Sequence, residues 1–254
     1  MIPCRCGHFL AIARRRDETV GTLASEEASR ASDGGAGVQS GNSQPVSWRS
    51  LSMSGPGEVR VGPLLTIPDL LIERGVSPQD AFTAAGFDPQ LLAHPEGRTP
   101  IESLARLLDT CIRLTGCPHF GLLIGERFDL SAFGVLGELL RHCATVGEAV
   151  HSLILHLHLN DRAAAPMLLN LEPGLVVLGY SVYEHSMPAL AQVQDTAIAV
   201  ANRIMIELCG PKWNPQRVQF AHRRPAITAA YRQHFRAELV FNAEVSGLVF
   251  ASTW

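Results

Sequence analysis

The spacing of apolar residues changes period once along this chain, near Asp161, and that change limits the fold more than any single motif. Before it, apolar residues recur at helical intervals, as in Leu104, Leu107, Leu108, Cys111 and Leu114. After it, Met167–Leu171 and Leu175–Val182 read as two strands joined by a hairpin turn at Glu172-Pro173-Gly174. Pro188–Cys209 is the longest helix, with Leu190, Val193, Ala197, Val200, Ile204 and Leu208 along one face and Gly210-Pro211 as its stop. Val218–His222 is a strand and Thr228–Phe235 a helix; Glu238–Asn242 and Leu248–Ala251 complete a ββαβαββ order. A helical amino-terminal half followed by a mostly antiparallel sheet with packed helices is an α+β domain.

Punctuation within the helical half supports that reading. Ser77 before Pro78 and Asp80 is a helix start, and Gly86 is its stop. Asp88-Pro89 opens a further short helix, and Ile67–Arg74 forms one with Pro68 in its first turn. Thr99 with Glu102, and Thr145 with Glu148, have capping-box spacing. The Thr145 box opens a helix carrying Val150, Ile154 and Leu157. Up to Asp161 the chain reads as helix throughout.

Residues 1–62 differ in kind. Thr22–Gly57 is rich in Ser, Gly, Ala and Glu with few large apolar side chains, so it is expected to be a disordered tail. Met53 stands just ahead of the patterned region and marks an alternative start, which would make the stretch upstream of it a mis-assigned extension. The folded domain is expected over 63–254.

With 46% hydrophobic residues and a net charge of −3, the chain has material for one sizeable core and no basic field for nucleic acid. No run of about 18 apolar residues spans a membrane. Arg14-Arg15-Arg16 follows the short apolar stretch Phe9–Ala13 instead of preceding it, the wrong order for export, so a cytoplasmic location is expected. The six cysteines are then free thiols, and Cys4-Arg-Cys6-Gly-His8 is too tightly spaced for a metal corner. No G-x-S-x-G, Walker or G-x-G-x-x-G element occurs, and His142 and Cys143 point about 100° apart on a helix, so no catalytic residues are assigned. No cofactor and no metal are expected.

Several stretches in fixed order carry a resemblance. They are Leu71–Pro78, Ala84–Pro89, Leu114–Leu122, Gly125–Phe128, Cys209–Pro215, Val218–His222 with Pro225, Tyr231–Phe235, Val240–Asn242 and Leu248–Phe250. Together they make residues 64–254 resemble the arabinose-binding-type amino-terminal domain of AraC-family regulators. That resemblance implies an effector-sensing domain that often helps form a homodimer. It also implies promoter DNA bound through a separate carboxyl-terminal domain with helix-turn-helix units. The sequence ends at Trp254, where the linker to that domain would begin, so truncation before the helix-turn-helix is expected. The alternative is a stand-alone small-molecule sensor or interaction protein without DNA binding.

A small-molecule site needs a few polar groups in a mostly apolar lining. Tyr180 and Tyr183 on the second hairpin strand, His185 after it, and Gln194 on the long helix are the candidates for an unknown effector. Asp195 beside Gln194 is open to pairing with Arg203 or another base. His158, seven residues from His151 and therefore on its helical face, is a further candidate, with His185, for a metal or an anionic ligand. Ordinary polar decoration at a helix end explains the same histidines. His222-Arg223-Arg224 reads either as an anion contact or as a solvated turn.

Overall fold

The computed structural model describes residues 57–254; residues 1–56 of the expected tail, Met53 among them, lie outside the described residues, while 57–62 belong to the fold. Helices form where the caps and stripes place them. The first is α1 (Ile67–Glu73), followed by α2 (Pro78–Ala85), where Ser77 Oγ accepts from the Asp80 amide and Gly86 turns left-handed at φ 63°. Such a cap contributes about 1 kcal/mol. Asp88 caps a single 3-10 turn, Pro89–Ala93, by accepting from the Gln90 amide. Helix α3 (Ile101–Thr115) buries Leu104, Leu107, Leu108 and Cys111, while Leu114 at the end of the same stripe is exposed. Three shorter helices follow: α4 (Phe120–Glu126), α5 (Val135–Arg141) and α6 (Val146–His156). Thr145 caps α6 through the Glu148 amide, and Glu148 reaches back to the Ala144 amide, one residue short of a full capping box.

Two details depart from the sequence reading. The first half is not helix throughout: β1 (Glu58–Arg60) pairs antiparallel with β2 (Arg98–Pro100), and Val59 also bridges to Asp161. Val59 and Val61, upstream of Pro63, are buried in the core. Thr99 therefore does not cap α3; it sits buried opposite Val59 in this ladder, and Pro100 occupies the cap position without a side-chain bond.

The second half follows the expected order. Strands β3 (Ala164–Glu172) and β4 (Leu175–Val182) form the hairpin, with Gly174 at φ 85° in its turn. Then come α7 (Leu190–Cys209), β5 (Arg217–Phe220), α8 (Ala229–Phe235), β6 (Glu238–Phe241) and β7 (Ser246–Ala251). The five-stranded sheet has the order β3-β4-β7-β5-β6, antiparallel except for the β5–β6 pair. A crossover through α8 makes that pair parallel, as parallel neighbours require.

Helix α7 is central. The single apolar face expected from its sequence is joined by buried Gln192, Gln194, Asp195 and Asn202, so the helix is enclosed on most sides. Helix α4 lies against it at very short range. A Cβ on Gly125 would fall 2.2 Å from Ala199 Cβ, and one on Gly121 2.4 Å from the Gln192 carbonyl oxygen. Two glycines one helical turn apart thus permit the approach that brings the Gly121 amide to Gln192 Oε1, 2.9 Å away. Under the sheet, Phe220 packs edge-on to Tyr231 and Phe235 and stacks on Phe241 at 5.2 Å.

Candidate effector site

Two concave sites flank Tyr180. The first is an interior cavity of about 120 Å³ between the helical half and α7. Its walls come from both halves of the fold: Leu64 and Leu104, Leu153 of α6 and Leu157 just after it, Leu178 of β4, and Val193, Ala197, Ala201 and Ile204 of α7. Its polar groups are Arg60, Asn160, Asp161, Tyr180 and Thr196.

Most of those polar groups are bonded to one another. The buried Arg60 donates to Asn160 Oδ1 at 3.0 Å and to the Ala132 carbonyl at 3.3 Å, and pairs with the exposed Glu96. Tyr180 donates its hydroxyl to Asp161, whose other oxygen accepts from the Ala163 amide at 2.8 Å. Burial raises the Asp161 carboxyl above its usual value in spite of these bonds. Burial, then the adjacent Asp161 charge, pushes the Tyr180 hydroxyl well up. Thr196 donates back to the Gln192 carbonyl at 2.8 Å.

The second site is a more polar cleft of about 290 Å³ on the other side of Tyr180. Gln194, His185, Ser181, Ser246, His222 and Glu244 contribute to its lining. Behind it lies Asp195, which is fully buried. Its Oδ1 accepts from His222 Nε2 at 2.9 Å, and its Oδ2 from Tyr231 and Gln192 at 2.6 Å each. His222 Nδ1 lies 2.9 Å from the Arg223 carbonyl, which can only accept, so that nitrogen carries a hydrogen. With Nε2 facing the carboxylate as well, both ring nitrogens face acceptors, an arrangement that favours the protonated ring. Burial alone would lower the His222 pKa; the bond to Asp195 and its charge outweigh burial and raise it.

The sequence-derived candidates divide. Tyr180, His185 and Gln194 converge on the cleft, and Tyr180 also borders the cavity. Tyr183 lies one residue past β4 and is 62% exposed. His158 is exposed, in a 3-10 turn beyond the end of α6, so its shared face with His151 is lost; its Nδ1 bonds the Leu155 carbonyl. Asp195 pairs with His222, not with Arg203, which reaches the Phe128 carbonyl. Arg223 and Arg224 are exposed, with Arg224 over the Phe241 ring.

Arg60, Asn160 and Asp161 were not singled out from sequence. Arg60 precedes the expected domain start, and the other two read as the polar end of a helix. The β1–β2 ladder carries Arg60 to Asn160, a hundred residues away in sequence. Among the described residues no helix is long and apolar enough to cross a membrane, and no group of three or more His, Cys, Asp or Glu is placed to hold a metal.

The comparisons with known proteins agree with this architecture. The chain is 31% identical over 170 residues to the ornithine utilization regulator of Pseudomonas aeruginosa, an alignment covering 66% of this chain and 49% of that protein. It is 23% identical over 176 residues to the HTH-type transcriptional regulator VirS of Mycobacterium tuberculosis, covering 69% and 52%. The chain thus spans about half the length of the curated relatives it matches. The crystal structure of the transcriptional regulator CdpR from Pseudomonas aeruginosa has the same fold over 68% of this chain and 53% of that one, with a TM-score of 0.51 and 19% identity. A family model, described as the arabinose-binding domain of AraC transcription regulators, N-terminal, matches residues 75–254, and the chain belongs to that family.

Proposed function

We propose that this domain senses a small effector in the interior cavity and passes the state of that cavity to a DNA-binding region of an AraC-type regulator. One observation carries the reading: the cavity is walled by both halves of the fold, with α7 along its length. A molecule seated there touches the helical half and the sheet half together. It favours whichever arrangement of the two it fits best, and only that difference in affinity can move the equilibrium.

The lining indicates the kind of effector. A space of about 120 Å³ is close to an engineered apolar cavity of about 150 Å³ that accepts benzene. A compact, largely apolar molecule of about one ring fits, oriented by one polar group near Arg60–Asn160 or Asp161–Tyr180. The reading assigns binding and no catalytic step, since the relatives are transcriptional regulators. A cytoplasmic setting and self-association are part of the same proposal, because a promoter-bound regulator works beside DNA and the family commonly pairs.

The test is calorimetric titration of compact aromatic and branched aliphatic metabolites into the protein, repeated on Ala197→Leu, which fills the cavity. A saturable ligand lost at least tenfold in the variant is the expected outcome. A ligand bound equally well by Ala197→Leu would place the effector elsewhere.

A further inference from the structure

The cleft, like the cavity with its unpartnered Arg60 Nε, holds a polar side chain with bonding capacity to spare. Gln194 is 8% exposed, and its side-chain amide lines the cleft without a hydrogen bond to any described residue. Its amide atoms are still reached by solvent, so a ligand in the cleft can take the place of water there. Around it the arrangement favours an anion. Ser181 and Ser246 present hydroxyls; the Ser246 oxygen already accepts from the Ala221 amide at 2.9 Å, which leaves its hydrogen free to donate. His222 forms part of the wall with its side chain 13% exposed, while its counter-charge Asp195 sits fully buried behind it. The ion pair is therefore oriented with its positive end toward the cleft. His222's own N–H groups are both engaged, so its contribution is field and not a direct bond. The opposing charge is Glu244, exposed at the rim.

We propose that this cleft is a second small-ligand site, separate from the interior cavity, that takes a carboxylate. The Gln194 amide and the Ser181 and Ser246 hydroxyls donate to its oxygens, and the imidazolium end of the Asp195–His222 pair favours its charge. The chemistry required is a small organic acid with no more bulk than the cleft's 290 Å³ admits. Because Tyr180 borders both spaces, a carboxylate in the cleft and an effector in the cavity would both adjoin this residue.

The test uses the full 254-residue chain and sodium acetate as the probe, with sodium chloride at matched ionic strength as control. The readout is the nuclear magnetic resonance signals of the Gln194 side-chain amide and the His222 ring. The expected result is a saturable millimolar shift with acetate beyond that with chloride. Gln194→Leu should weaken binding about tenfold or more, as loss of a hydrogen bond to a charged group predicts. Ser181→Ala, a milder change on a half-buried strand residue, should weaken it by a smaller factor and carries the test if the first variant folds poorly. Glu244→Gln should tighten acetate binding, because it removes the opposing charge. Ala197→Leu, which fills the other space, should leave it unchanged.

Equal shifts with chloride would overturn the proposal, as would undiminished binding by both Gln194→Leu and Ser181→Ala. Weaker acetate binding by Glu244→Gln would overturn the anion assignment. Loss of acetate binding in Ala197→Leu would show the two sites to be one.

Discussion

The two spaces that Tyr180 borders differ in how their polar groups are committed. In the interior cavity, Arg60 is paired with Asn160 and Glu96 through its terminal nitrogens, with Nε left unpartnered, and Tyr180 is paired with Asp161. In the cleft, Asp195 gathers three donors behind the wall while Gln194 in the wall has none. A cavity whose polar groups are bonded to each other recognises shape and apolar surface, with polarity orienting the guest. A cleft with an uncommitted amide recognises a hydrogen-bonding partner. The same helix, α7, supplies both surfaces, with Val193 and Ala197 toward one and Gln194 toward the other.

Four changes test that contrast, beginning with the most severe. Asp195→Ala leaves the His222 imidazolium, the Tyr231 hydroxyl and the Gln192 amide without their common acceptor. Breaking a buried pair from one side costs about 3–5 kcal/mol, which urea denaturation would read directly. A loss below about 1 kcal/mol would show that water replaces the carboxylate and that the network is not the wall's support.

Tyr180→Phe removes the hydroxyl that Asp161 accepts, at the partition between the spaces. The expected loss is about 1–3 kcal/mol by the same measurement.

The third change is in pH. Because its pairing raises His222 above the ordinary imidazole value, its contribution to stability is fully present below about pH 6.5. That contribution fades as pH rises through the raised value. Denaturation midpoints across that window should fall more steeply for the native chain than for His222→Gln. Parallel curves would mean that His222 titrates as it does in the unfolded chain.

The smallest effect is expected at Gln194 itself. Since its amide has no protein partner, Gln194→Leu should change stability by less than about 0.5 kcal/mol, despite the burial of the site. A loss above about 2 kcal/mol would show that the amide is structurally engaged and would erase the contrast between cleft and cavity.

How far the sequence reached can be traced residue by residue. The caps at Ser77, Asp88 and Thr145 were readable because each depends on a side chain bonding an amide two or three residues away. The hairpin at Gly174 and the stop at Gly210 were readable because a positive φ, 85° and 92° here, is a local demand that glycine meets. Thr99 satisfied the same capping pattern and failed, because pairing with Val59 across the β1–β2 ladder supplied a competing use for its backbone. Gln194 and His185 were found as polar residues beside apolar elements, but their convergence with Tyr180 was not visible. His158 carried as much local signal and ends in solvent.

Local pattern fixed the α-helices of the first half (though not its β1–β2 ladder), the ββαβαββ order of the second half, and the family resemblance over 64–254, of which the family model matches 75–254. Each of these rests on interactions within a few residues or on a period that repeats along one element. Only the tertiary structure decided that Arg60 meets Asn160, that Asp195 takes His222 and Tyr231 in place of Arg203, and that Gln194 is left without a partner. Those outcomes depend on how closely α4, α7 and the sheet approach, a distance set by side-chain volumes such as the missing Cβ atoms of Gly121 and Gly125. No periodicity along the chain encodes that distance.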